Sequence, residues 1–163
     1  MSGKPDNMQK YANYKEQFKR LNKAMSNHFY LEAMFIEYAI MEDRTESILR
    51  HAGMWESYLK SRKGHNPTID SKIKKIKKLS EQKKTLPNRY FSDDLLDNIL
   101  EWKEERNRMI HALMKQSLTT EILESLAGQG KEYARTLTNR SGSFRRAVEK
   151  VCKQPDAVKK ENQ

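Results

Sequence analysis

Apolar residues recur at intervals of three and four along most of this 163-residue chain, with charged residues between them. Such spacing places the apolar side chains on one face of an α-helix. Charged residues make up 33% of the chain, and its six glycines and four prolines are too few for the turns of an all-β protein. The sequence therefore predicts an all-α fold, a bundle of about four to six helices around a single core.

Turn signals divide this helical pattern into regions. A break is expected near Asn27, the strongest helix is expected to stop at Gly53, and the glycines of the AGQG stretch are expected to interrupt a later helix. The predicted regions are an N-terminal helix at 1–27, a helical core at 28–127, a basic helical extension at 128–152 and a disordered tail at 153–163.

The charge and the single cysteine limit the class of partner and the compartment. Thirty-two basic against 22 acidic residues leave a formal net charge of +10, which favours polyanionic partners such as nucleic acid or an anionic membrane surface. Cys152 is the only cysteine, so no internal disulfide can form, and a reducing cytoplasmic environment is expected. Because no signal peptide or apolar run of about 18 residues is present, we expect neither secretion nor a membrane-bound protein.

One helix of the predicted core carries a charge on its apolar face. In the stretch EWKEERNRMIHALMKQ, residues 101–116, a helical projection places Arg106 about 20° from Ile99, at the centre of the apolar stripe. The apolar members of that stripe are Leu95, Ile99, Trp102, Met109, Ile110 and Leu113. An unpaired arginine there would cost several kcal/mol, so the sequence requires a partner for Arg106.

Two kinds of partner are open. When Tyr38 is taken as the centre of the apolar stripe of the preceding strong helix, Glu42 lies inside that stripe and can form a buried ion pair with Arg106. Alternatively, Asn107 and His111, four residues apart on the flank of the same helix, converge with Arg106 on a cleft that holds a phosphate and moves a proton.

The stretch Arg106-Asn107-Arg108-Met109-Ile110-His111 resembles the signature of the HEPN superfamily (higher eukaryotes and prokaryotes nucleotide-binding). That signature is an arginine, a polar residue and a histidine after four to six intervening positions, and the resemblance covers roughly residues 28–127. It implies a small helical bundle in which the motif helix packs against a long earlier helix. It also implies metal-independent RNA cleavage at a composite site between two subunits, in a bacterial or phage toxin or an antiphage defence factor.

The resemblance and the chemistry of RNA cleavage suggest the same roles. Cleavage through the 2′-hydroxyl needs a general base, a general acid and a cation beside the phosphorane, and one protomer offers one suitable histidine. A two-fold homodimer would supply two. We expect His111 to act as base or acid, Arg106 to clamp the phosphate and Asn107 to orient it, while Glu42 positions Arg106.

A regulator is a further expected partner, although one type is put in doubt. Some members of the superfamily carry a tyrosine two residues beyond the histidine, which is linked to control by a nucleotidyltransferase antitoxin. This chain has Leu113 at that position. Leu113 therefore argues against a nucleotidyltransferase antitoxin, and the sequence does not identify the antitoxin or regulator.

A lysine-rich helix is the predicted RNA-binding element. Ile69, Ile73 and Ile76 form its apolar face, and the Leu86-Pro87-Asn88 stretch is expected to end it. A basic helix can follow an RNA backbone through counterion release. The residues predicted to contact RNA are Lys72, Lys74, Lys75, Lys77, Lys78 and Arg108. Neither metal-ligand spacing nor a phosphate-binding glycine loop is present, so no cofactor or metal is expected.

Two alternatives to the ribonuclease remain open at the level of sequence. One is a non-catalytic HEPN-like module that binds RNA or a nucleotide. The other is a structural helical bundle in which Arg106 and Glu42 form an internal ion pair that fixes the register of the helices.

Overall fold

The computed structural model describes residues 7–62, 65–115 and 117–153, and within these ranges it is all-helical, as the sequence predicts. The described part of the chain forms seven helices. These are α1 (Asn7–Ser26), α2 (Tyr30–His51), α3 (Trp55–Ser61), α4 (Ile69–Ser80), α5 (Leu86–Phe91), α6 (Leu95–Ala112) and α7 (Thr120–Cys152). Two of them, α3 and α5, are no longer than two turns. The predicted tail, 153–163, lies outside the described residues except for Lys153.

The contacts divide the chain into two compact units instead of the single core expected from its length. Among the described residues, unit 1 contains those up to Met41 together with those of Asp97–Arg135, and unit 2 contains those of Glu42–Leu96 together with those after Arg135. Helices α2, α6 and α7 therefore each contribute one part to each unit.

The first two long helices end where the sequence predicts, and by the same backbone motif. At the end of α2, Gly53 has a φ of 70° and its N–H donates to the Arg50 carbonyl, while the N–H of Met54 donates to the Leu49 carbonyl. These two bonds make a Schellman motif, which requires a left-handed residue. The break at Asn27 has the same pattern, with His28 as the left-handed residue at a φ of 60°.

Two sequence-based boundaries are wrong. Helix α7 continues without interruption through the AGQG stretch, because buried side chains on both sides of it, such as Leu126 and Ala134, hold the helix by packing. The Leu86-Pro87-Asn88 stretch begins α5 and does not end α4. The Thr85 hydroxyl accepts a hydrogen bond from the N–H of Asn88, and proline is tolerated in the first turn of a helix.

Unit 1 is held together by apolar residues of four helices. Its largest buried side chain is Trp102 of α6, whose indole N–H donates to the Leu126 carbonyl of α7 over 2.9 Å. The other buried apolar residues of this unit are Leu21, Ala24, Tyr30, Ala33, Met34, Ile36, Ile40, Met41, Ile99, Met109, Leu126, Ala127 and Ala134.

Unit 2 is built on the apolar face of α4 and an aromatic cluster. The Thr68 hydroxyl caps α4, and its isoleucines at 69, 73 and 76 are fully buried. Phe91 and Phe144 meet edge to face at 5.4 Å between ring centroids. Asp93 pairs with Arg140 of α7 at 2.5 Å, and this contact holds the pKa of the Asp93 carboxyl below its ordinary value.

None of the helices in the described ranges is both long enough and apolar enough to cross a membrane.

The loop between α4 and α5 offers a test of backbone strain. Lys84 has a φ of 66°, a conformation that costs a non-glycine residue about 1 kcal/mol or more, so Lys84→Gly is expected to stabilise the protein by up to about 1 kcal/mol. Lys83→Gly is the matched control, since it removes the same charge from a neighbouring exposed position and should destabilise by about 0.5 kcal/mol. Urea unfolding of both variants measures the difference. Equal effects would contradict strain at Lys84.

Candidate functional site

Arg106 lies on α6 within unit 1, half-buried between solvent and the core. Its guanidinium carbon is 5.0 Å from the centroid of the Tyr38 ring of α2, a cation–π contact. Its Nη1 donates to the Asn107 side-chain oxygen over 3.1 Å. Arg106 thus contacts an aromatic ring and an amide, and neither of these uncharged groups neutralises its positive charge.

The guanidinium retains capacity to donate. Its Nε is buried and has no hydrogen-bond partner among the residues that the structure describes. Burial lowers the pKa of the Arg106 guanidinium, while the nearby Tyr38 and Glu37 side chains raise it. An arginine remains protonated in any protein environment, so the consequence of burial is a cation that gains from binding an anion.

Asn107 and His111 follow Arg106 on the same helix. Asn107 is half-buried, whereas His111 is exposed in the last turn of α6. Four residues along a helix place two side chains on one side of it, so the imidazole stands one turn beyond the amide that binds Arg106. The structure therefore brings the three predicted motif residues to one end of one helix, with the imidazole accessible.

A carboxyl that was not predicted from the sequence lies beside Arg106. Glu37 of α2 is fully buried, and neither of its oxygens has a hydrogen-bond partner within the described ranges. Burial raises the pKa of the Glu37 carboxyl to about 9, against the opposing charges of Lys131 and Arg106. The carboxyl is therefore neutral at pH 7.

Gly130 of α7 makes room for this carboxyl. A Cβ built on Gly130 would collide with the Glu37 carboxyl oxygen and would come within 2.5 and 2.7 Å of two carbons of the Trp102 indole. The rigid indole cannot move aside as a flexible side chain can, so only glycine allows the α7 backbone to approach so closely. Glu37, Trp102 and Gly130 thus form one three-helix contact beside Arg106.

Glu42, the expected partner of Arg106, binds a different cation. It belongs to unit 2, where one of its carboxylate oxygens lies 3.5 Å from Lys72 Nζ. Lys72 is buried, lies 3.9 Å from Glu46 and is 5.9 Å from the centroid of the Trp55 ring. Its charge is neutralised inside the unit, so Lys72 is not presented to an RNA as the sequence suggested.

The other predicted RNA-binding residues differ in exposure. Lys74, Lys78 and Arg108 are exposed, whereas Lys75 and Lys77 are half-buried. The structure places four of these lysines on α4 in unit 2 and Arg108 on α6 in unit 1. Each unit therefore has exposed basic side chains of its own.

Unit 1 also exposes large apolar side chains along the two helices that meet at Arg106. Phe35, one turn before Tyr38 on α2, is 69% exposed, and Ile110, one turn after Arg106 on α6, is 37% exposed. Met114 follows them at 96%. Exposed apolar groups that flank a polar site mark an interaction surface more often than isolated ones do.

Glu37 and Tyr38 are neighbours of Arg106 that the sequence pattern did not predict. A usable signal exists for Glu37, because it stands three residues after Met34 and four before Met41, both of which are buried. That spacing puts Glu37 on the buried face of α2. The apolar residues on the opposite face of α2, such as Leu31 and Phe35, obscured which face was buried.

No group of three or more histidine, cysteine or acidic side chains in the described ranges is arranged to hold a metal ion. Comparisons with protein-family models, with curated proteins and with solved structures gave no match to the chain.

Two glycines of α7 provide a matched test of the contact around Glu37. Gly130→Ala is expected to destabilise the protein by about 1–3 kcal/mol, because the added Cβ overlaps the Glu37 carboxyl and the Trp102 ring. Gly128→Ala is expected to stabilise it by about 0.5–1 kcal/mol, because nothing lies within 4 Å of the new Cβ and alanine favours the helix. Urea unfolding measures both. A stable Gly130→Ala variant would contradict the close contact.

Proposed function

We propose that this chain is a metal-independent endoribonuclease of HEPN type that cleaves RNA through the 2′-hydroxyl. The observation that carries the proposal is the half-buried Arg106, whose Nε has no hydrogen-bond partner in the described part of the chain and which shares its helix with an accessible His111. A half-buried guanidinium favours a phosphate, since charge-assisted hydrogen bonds to an anion offset the cost of its partial desolvation.

The proposed reaction is an in-line displacement at phosphorus. One imidazole removes the proton of the 2′-hydroxyl, the 2′-oxygen attacks phosphorus, and the 5′-oxygen leaves with a proton from a second imidazole. The products are a 2′,3′-cyclic phosphate and a 5′-hydroxyl. Arg106 stabilises the charge that develops on the phosphorane oxygens, and Asn107 holds the guanidinium in place through the bond to its side-chain oxygen.

Because each chain contributes one His111 at this site, we propose that a second copy supplies the other imidazole. The apolar side chains beside the site support a second copy as the occupant, since Phe35 and Ile110 are exposed one turn from Tyr38 and Arg106 on their own helices. An isologous interface that covers these side chains would bring two copies of the motif together around one two-fold axis.

The exposed lysines of α4 and Arg108 are proposed to bind the RNA backbone. Their contribution would be electrostatic and independent of base sequence, in keeping with the net charge of +10. The biological role that fits such an enzyme is a toxin or an antiphage defence factor acting in the cytoplasm, with an antitoxin or another regulator as a further partner.

His111→Ala is expected to lower the cleavage rate by about 10²–10⁴-fold, because it removes a proton-transfer group, with no change in the unfolding midpoint because the side chain is exposed. The control is His65→Ala, which removes an exposed imidazole outside the motif. Mass spectrometry of a cleaved oligoribonucleotide in the presence of EDTA detects the cyclic phosphate, and sedimentation gives the oligomeric state.

Two outcomes of that experiment would contradict the ribonuclease. One is wild-type protein that is folded and dimeric but leaves structured and unstructured RNAs intact with and without EDTA. The other is cleavage that persists in His111→Ala. Binding without cleavage would favour a non-catalytic RNA-binding module, and neither binding nor cleavage would favour a structural role for the buried charges.

The lysine contribution can be separated from the motif. Lys74→Gln combined with Lys78→Gln is expected to weaken binding of a 2′-O-methyl oligonucleotide and to reduce the salt dependence of log K by about 0.7 for each lost phosphate contact. The matched control is the pair Lys19→Gln and Lys23→Gln, two exposed lysines of α1. Fluorescence anisotropy at several salt concentrations measures the slopes. Identical slopes for the two pairs would exclude α4 as a specific RNA-binding element.

A further inference from the structure

The buried carboxyl of Glu37 has no hydrogen-bond partner among the residues that the structure describes. An ionised carboxylate in this position would be destabilising by several kcal/mol, and even a protonated carboxyl without a hydrogen bond costs free energy. The glycine that accommodates it, Gly130, also weakens α7 relative to alanine. An apolar side chain with alanine opposite it would make a more stable three-helix contact, so stability alone does not account for Glu37.

The charged groups that face Glu37 come from the two helices packed against it. Arg106 faces it from α6, and Lys131 faces it from α7, one residue after the glycine that contacts the carboxyl. Both Glu37 oxygens and the Arg106 Nε are buried with their hydrogen-bonding capacity unused within the described ranges. A carboxyl group and a guanidinium N–H donor therefore lie in one neighbourhood without a hydrogen bond between them.

We infer that Glu37 is a positioning residue that controls Arg106 through its own protonation. In the protonated form, the carboxyl leaves Arg106 against Tyr38 and Asn107, where the guanidinium can bind an RNA phosphate. Once ionised, the carboxylate competes for the same guanidinium and draws it inward. The link to RNA rests on the proposed function, whereas the coupling between Glu37 and Arg106 does not.

The direction of the pH dependence follows from the raised pKa of Glu37. Its value of about 9 lies above the ordinary 4.5 of a glutamate, so the carboxyl is protonated in the folded protein across the neutral range. The stability that protonation confers is complete below about pH 4.5 and is lost as the pH rises through about 9. Arg106 is accordingly available to an anion at neutral pH and is withdrawn in alkaline solution.

The coupling is tested without RNA by carbon-detected NMR of the full chain. The carboxyl carbon of Glu37 should titrate with a midpoint near 9, and the Nε and Cζ shifts of Arg106 should follow the same midpoint. In Glu37→Gln, whose amide cannot ionise, the Arg106 response at this pH should be absent. A Glu37 carboxyl that titrates near 4.5, or an Arg106 that does not respond, would overturn the inference.

A Lys131 variant shows whether Arg106 responds to the ionisation of Glu37 directly or through the lysine. In Lys131→Gln the Arg106 response should persist, and the midpoint of Glu37 should rise because one opposing charge is gone. Loss of the Arg106 response in this variant would show that the coupling runs through the lysine and would overturn the inference.

The link to RNA is tested with a fluorescent 2′-O-methyl dodecamer, which cannot be cleaved through its 2′-oxygen. Between pH 8 and pH 10 the affinity of the wild type should fall about tenfold more than that of Glu37→Gln, because only about a tenth of the molecules keep Glu37 protonated at pH 10. Deprotonation of lysines affects both proteins alike and cancels in this comparison.

The NMR titration and the RNA-binding measurement test different claims, so a negative result in one does not decide the other. Wild type that does not bind the dodecamer at any pH would overturn the proposed function and the role of Glu37 in RNA binding, while the NMR titration would still decide the coupling. Wild type that binds the dodecamer with the same pH dependence as Glu37→Gln would overturn the inference alone.

Discussion

The contact among Glu37, Trp102 and Gly130 is the constraint on which unit 1 depends. It joins α2, α6 and α7 at one place, and the absent side chain at 130 determines how closely α7 approaches the other two helices. The indole hydrogen bond to the Leu126 carbonyl fixes the same approach one turn earlier. Since Arg106 is one turn beyond Trp102 on α6, this contact also sets where the guanidinium meets the Tyr38 ring.

Local chemistry explains the parts of the fold that the sequence predicted. The helix end at Gly53 depends on a left-handed backbone that glycine adopts easily, and the break at Asn27 has the same backbone pattern. The unusual burial of Arg106 was also readable, because its position relative to Ile99 and Trp102 depends only on the geometry of one helix. Each of these features is decided within a few residues of chain.

The parts that the sequence did not predict depend on contacts between distant segments. The sequence predicts Glu42 as a partner of Arg106 because the projection centres the apolar stripe of α2 on Tyr38, whereas the Tyr38 ring contacts a half-buried guanidinium. Helix α2 is apolar on more than one side, so its own periodicity does not identify the buried face. Likewise, the glycines at 128 and 130 look like a helix stop unless the Trp102 ring opposite the second one is known.

The division of the chain between the two units has a consequence for synthesis. Unit 1 combines the described residues up to Met41 with those of Asp97–Arg135, so a nascent chain cannot complete it until most of the protein has left the ribosome. At a translation rate of about 5–20 residues per second, several seconds separate the synthesis of α2 from that of Gly130, which packs against Glu37. If Arg106 acts on RNA, its site remains incomplete while the ribosome is still translating the mRNA that encodes it.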